Sequence, residues 1–126
     1  MRLFTASFFT TPTADESVLR VSIARSPPRN HPRGFKTLKA LAPGPWFNSV
    51  SEPEYRVRYR AQLDALDVGA VLQQLAEMGS GRAAVHLLCW ERPPFTSQNW
   101  CHRRLLAEYL QETRGLVVPE YDPAVL

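Results

Sequence analysis

Both cysteines of this chain and one of its three histidines fall in a single stretch. It runs Leu87-Leu88-Cys89-Trp90-Glu91 and, after a loop, Cys101-His102-Arg103-Arg104. A thiolate attacks electrophilic centres, an imidazole exchanges protons near neutral pH, and an arginine fork grips a phosphate or carboxylate. Spacing narrows these options. The position where cysteine-dependent phosphatases carry their arginine, counted from Cys101, is Ala107 here, so that chemistry is excluded. A zinc site takes four ligands, whereas Cys89, Cys101 and His102 supply three and lack a C-x-x-C pair. His86 would point to the other face of a strand from Cys89. The sequence therefore predicts no metal and no cofactor, and it leaves a Cys89–Cys101 redox pair open.

Cys89 and Glu91 close an apolar run that reads as a strand, and Cys101 opens a helix. In open α/β sheets ligands gather beyond the carboxyl ends of the strands, where helix N-termini converge. The positive end of the helix dipole, with Arg103 and Arg104 beside it, predicts a lowered thiol pKa at Cys101. The expected catalytic groups are Cys101 as nucleophile or anion contact, His102 as proton carrier and Glu91 as its orienter. Arg103, Arg25, Arg29 and Cys89 are the expected substrate or anion contacts. Each has a plainer reading: a capping histidine, a solvated glutamate beside Arg92, a small buried cysteine.

Positioning these groups requires a fold. Residues 2–9 and 19–25 read as strands and as candidate neighbours in one sheet, separated by the turn-rich Thr10-Thr11-Pro12-Thr13-Ala14-Asp15 segment. Residues 26–53 hold six of the eleven prolines and two glycines, so they form a long loop with at most a helical turn. Tyr55, Tyr59, Leu63 and Leu66 mark one face of a helix over Glu54–Leu66. Asp67 caps a second helix, Val68–Met78, which Gly79 ends. The near-continuous apolar run 83–89 reads as a central parallel strand, interrupted by His86. A third helix, His102–Arg114, packs Leu105, Leu106, Tyr109 and Leu110, and Gly115 separates it from an expected strand at Leu116-Val117-Val118. Strand, helix and strand over 83–118 form a crossover unit, and Pro119–Pro123 reads as a surface tail. The expectation is a single small α/β domain over 1–126, with a mostly parallel central sheet flanked by helices.

The net charge is +3, and thirteen of the fifteen basic residues are arginine. The basic character is N-terminal: residues 1–44 carry seven Lys/Arg against two acids. Arg25, Arg29, Arg33, Lys36 and Lys39, with His31 among them, alternate with prolines, and Phe35, Trp46 and Phe47 follow. Cations with nearby aromatics suit a nucleotide or single-stranded nucleic acid, and a solvated loop explains the same letters. No run is long enough to span a membrane, and the N-terminal apolar stretch, broken by Thr5 and Ser7, reads as a strand rather than a signal peptide. Two cysteines are too few for a disulfide framework, so a reducing cytoplasmic setting is expected.

Leu87-Leu88-Cys89-Trp90-Glu91, then Cys101-His102-Arg103 and Leu106-Ala107, resemble the domain of unknown function family 488. Val21-Ser22-Ile23-Ala24-Arg25-Ser26-Pro27-Pro28 and the Tyr55, Tyr59, Leu63 helix are similar to one branch of it. The resemblance implies a small α/β domain with a cysteine-bearing site, and it implies no particular activity. Other branches keep a shorter gap between the cysteines, whereas Arg92–Trp100 here forms a longer loop with Pro93-Pro94-Phe95. Together these readings lead to a cytoplasmic enzyme with a cysteine-containing site acting on a phosphate-bearing or otherwise anionic substrate, with a nucleotide or nucleic acid as one candidate. The rival is a non-catalytic module that binds nucleotide or nucleic acid through the same surface, with structural cysteines.

Overall fold

The computed structural model describes residues 2–30 and 34–123, so His31 and Arg33 of the basic loop lie outside the described residues. Four parallel strands, β1 (Arg2–Ser7), β2 (Val18–Ser22), β3 (Lys36–Thr37) and β4 (Ala84–Cys89), form one sheet in the order β1-β4-β2-β3. Three helices complete the α/β architecture: α1 (Glu52–Asp64), α2 (Val68–Met78) and α3 (His102–Arg114). Among the described residues no helix is long and apolar enough to cross a membrane.

β4 is the strand around which the sheet is assembled. All six of its residues are buried and none is a carboxylate, lysine or arginine, so it needs a hydrogen-bonded neighbour on each side. β1 and β2 fill those two places, with Thr5 and Val21 both opposite Leu87. They are therefore not neighbours, as the sequence had implied. The ten-residue connection 8–17 carries the chain past β4 without a helix, and is shorter than the usual parallel crossover of about a dozen residues or more. β3 ends the sheet with exposed Lys36 and Thr37, an edge that a lysine protects from further pairing.

Alternation along the strands sorts the core. Leu19, Val21, Ile23, Val85 and Leu87 join Tyr59 and Leu63 of α1, Val68 and Leu75 of α2, and Leu106 and Leu110 of α3 in the larger cluster. α1 begins two residues earlier than its periodicity predicted because Ser51 is its N-cap, accepting from the Glu54 N–H, with Pro53 in the first turn. α2 and α3 have the expected bounds: Asp67 caps the start of α2 and Gly79 its end, and Gly115, with a φ of +65°, ends α3 in the left-handed region.

The expected strand at Leu116–Val118 does not form. Val117 is 67% exposed, and Pro119 has no N–H to give to a ladder. The chain instead makes one parallel bridge to β1, with the Thr5 N–H donating to Pro119 and the Tyr121 N–H to Thr5. The segment read as a tail thus lies along the sheet edge.

On the other face, His86 packs edge-on against Phe4 and at a tilt against Tyr121, with Nδ1 3.0 Å from Thr11 Oγ1. Burial pushes its pKa down to about 4, with the Asp15 charge acting in the opposite sense. An unfolded histidine binds protons from its ordinary pKa of about 6.5, so between these values the unfolded chain is the more protonated state. His86 then contributes stability that is complete above pH 6.5 and is lost as pH falls toward 4. For so buried a ring the full loss is about 3 kcal/mol. Urea unfolding at pH 7.5 and pH 4.5 checks this: His86→Gln is expected to flatten the pH dependence, and equal slopes in both proteins would contradict the assignment.

Candidate functional site

The carboxyl ends of β1, β4 and β2 are tied together by hydrogen bonds that leave Cys89 little freedom. Phe8 N–H donates to Cys89 O at 2.9 Å, Ile23 N–H to Leu88 O at 3.0 Å, and Ser7 Oγ to Trp90 O at 3.0 Å. Cys101 follows as the extended N-cap of α3, and its side chain makes no capping hydrogen bond. It is therefore available to face the strand end.

His102, the first residue of α3, joins the two cysteines. Its Nε2 lies 2.7 Å from the carbonyl oxygen of Ile23. A carbonyl only accepts, so Nε2 carries the proton, and in the neutral ring Nδ1 is left as an acceptor. Nδ1 stands 3.5 Å from Cys89 Sγ and 3.8 Å from Cys101 Sγ. The three ligand atoms lie within 4.8 Å of one another, and all three residues are buried. The orienter of His102 is thus a backbone carbonyl of the β2 end rather than Glu91. The ring edge of Tyr59, itself hydrogen-bonded to Leu41 O, fixes the imidazole from the side at 5.4 Å.

The predicted acidic thiol at Cys101 is overturned. Burial first, and then its hydrogen bond and charge interaction with Cys89, push the Cys101 pKa well above the ordinary value, against a smaller lowering by His102. A helix terminus is worth about 0.3–1 kcal/mol at an exposed site, and desolvation of a thiolate costs more. At neutral pH the unliganded thiol is protonated.

Arg103 was expected to grip substrate, and its fork is already held. It is fully buried, with Nε 2.9 Å from Glu120 Oε1 and Nη2 2.8 Å from Glu120 Oε2. Nη2 also donates to the backbone of Glu91 at 2.5 Å, and the guanidinium stacks 4.8 Å over Phe95. Its Nη1 points toward Glu91 Oε2 at 4.0 Å, and neither atom has a hydrogen-bond partner among the described residues. Burial works against the Arg103 charge, yet the Glu120 hydrogen bond, the two thiols and the Glu120 charge raise its pKa overall. Arg104 is also committed, donating to Thr5 Oγ1 and to Val118 O.

Cys89, Cys101 and His102 open onto a cavity of about 560 Å³. Trp90, Trp100, Tyr55 and Phe47 give it aromatic walls, Asn48, Gln98 and Asn99 supply amides, and Arg25 and Glu91 supply the charges. Trp90 is held by its indole N–H on Ser26 O, and Trp100 by edge contact with Tyr55 at 4.6 Å. Asn99 braces the 90–100 loop by donating to Arg92 O and Pro94 O. Arg29 is exposed and outside the lining. A second hollow of about 380 Å³ lies between α1 and α3, where Arg56 and Arg60 pair with Glu108 and Glu112, and its described lining includes no cysteine, serine or histidine. Sequence reasoning missed Glu120, Ile23, Tyr55 and Trp100. Glu120 stands in a segment with no periodicity, and Ile23 acts through its backbone.

Compared with known proteins, residues 4–114 match a family model described as the active DUF488-N3 subclade. No curated protein and no solved structure matches the chain.

The Arg103–Glu120 pair generates a stability prediction. Removing one partner of a buried ion pair costs about 3–5 kcal/mol because the other charge is stranded. Glu120→Ala is expected to lose about that much in chemical denaturation. A change below about 0.5 kcal/mol would mean that water already solvates the guanidinium.

Proposed function

The chain belongs to the DUF488 family, and on that premise we propose that it is an enzyme whose active site is the cavity above Cys89, Cys101 and His102. The carrying observation is the convergence of two thiols and a tautomer-fixed imidazole at the base of one chamber. Catalytic sites pair a few convergent polar groups with apolar walls, as this chamber does. The description of the matched subclade as active agrees with that reading.

The substrate is anionic and carries a flat ring, a phosphate-bearing nucleotide being the type. Aromatic walls from Trp90, Trp100, Tyr55 and Phe47 suit stacking on a ring. The side-chain amides suit the donor and acceptor edge of a base, and Arg25 at the mouth suits its phosphate. Cys101, Cys89 and His102 form the reactive centre, with the Nδ1 lone pair of His102 turned to both sulfurs, and Glu91 lines the chamber beside them. Arg103 acts one step back, holding the Glu91 backbone. Two free thiols in a cluster of this kind fit the reducing cytoplasm.

Trp90 and Trp100 make binding directly measurable. A nucleoside 5′-monophosphate is expected to quench their fluorescence, and the unphosphorylated nucleoside to bind about tenfold more weakly, a difference that Arg25→Ala abolishes. Binding of a single-stranded oligonucleotide with steep salt dependence, and none of the mononucleotide, would favour the nucleic-acid module instead. Quenching by neither would overturn the ring-and-phosphate reading.

A further inference from the structure

Zinc was set aside in the sequence for want of a fourth protein ligand. Catalytic zinc, however, keeps three protein ligands and leaves the fourth position to water or substrate. The geometry at the cavity floor fits that description. Bonds of about 2.3 Å to sulfur and about 2.0 Å to nitrogen separate a sulfur from a nitrogen by about 3.5 Å around a tetrahedral ion. His102 Nδ1 is 3.5 Å from Cys89 Sγ and 3.8 Å from Cys101 Sγ, and all three ligand atoms fall within 4.8 Å of one another.

The surroundings fit as well. A metal-bound histidine commonly donates its other ring N–H to a carbonyl, which fixes the tautomer and aims the lone pair. His102 makes that bond to Ile23 at 2.7 Å. Cys89 is held from below by the Phe8 and Ile23 backbone bonds on either side of the strand end, and Cys101 is free of any capping role. Glu91 lines the same cavity, so a carboxylate stands beside the three ligands.

We infer that Cys89, Cys101 and His102 bind one zinc ion, with its fourth coordination position open to the cavity. This rests on the reading of the cavity as the reactive site and names what its centre holds. Two thiolates and an imidazole select a soft or borderline cation over magnesium or calcium, and the compact three-atom set favours tetrahedral geometry. The ion takes the place of the thiol protons, which leave on binding. The clustered cysteines then act as ligands, and a water on the open position faces the substrate chamber.

Reduced full-length protein, freed of metal by a chelator, is titrated with cobalt(II) as a coloured stand-in and then with zinc. One cobalt per chain is expected, with the strong visible bands of four-coordinate cobalt and a thiolate charge-transfer band in the near ultraviolet, both bleached by zinc. Zinc is also expected to protect both thiols of the wild-type protein from alkylation, a measurement that needs no variant. Cys89→Ser, Cys101→Ser and His102→Ala, where folded by circular dichroism, should each weaken cobalt binding by at least about tenfold. Absence of stoichiometric uptake, a spectrum without thiolate charge transfer, or thiols that zinc leaves equally reactive would each overturn the proposal. Nucleotide quenching that persists without metal uptake would refute the ion and keep the cavity reading. Metal uptake without ligand binding would do the reverse.

Discussion

One hydrogen bond decides what the site can do: the His102 Nε2–H on the carbonyl of Ile23, 2.7 Å long and buried. It removes the proton from the side of the ring that faces sulfur, so Nδ1 presents a lone pair to both cysteines. Without it the imidazole could turn a donor toward the thiols, and neither general-base nor ligand chemistry would be set up. The bond exists because β2 pairs beside β4 in parallel register and because Ile23 continues past the end of β2 to hydrogen-bond Leu88. Sheet topology thereby selects a tautomer across 79 residues of sequence.

A second constraint supports the first. α3 must meet the sheet with its first turn against the strand ends, and Arg103 anchors that turn to Glu120 and to the Glu91 backbone. Arg104 adds bonds to Thr5 and Val118. Arg103, which sequence reasoning aimed at a substrate, therefore holds the helix in place, while Arg25 lines the cavity and donates to Pro43 O. Burying a guanidinium is tolerable because Nε and Nη2 are paired with Glu120 and the Glu91 backbone, although Nη1 is left without a hydrogen-bond partner among the described residues.

Much of this was legible from residue types. β4 was readable as the central strand because seven consecutive positions carry almost no polarity, and α2 and α3 were readable because their caps, Asp67, Gly79 and Gly115, have distinct physical roles. The Cys89, Glu91, Cys101 and His102 constellation was readable because a strand end and a helix start were both marked. Three features were not. The insertion of β4 between β1 and β2 depends on which long-range pairing buries most apolar surface, and no local signal encodes it. Glu120 pairs with Arg103 from an irregular segment, so nothing in its neighbours announces the contact. The raised Cys101 pKa follows from burial, whereas the sequence showed the helix terminus and the arginines but not the desolvation that outweighs them.

The account's central claim is which nitrogen of one ring bonds the Ile23 carbonyl. Nitrogen-15 NMR of the imidazole of His102, assigned by its loss in a His102 variant, reads that directly. In the neutral ring the proton is predicted on Nε2, with Nδ1 bare or metal-shifted. A neutral ring with its proton on Nδ1 would contradict it.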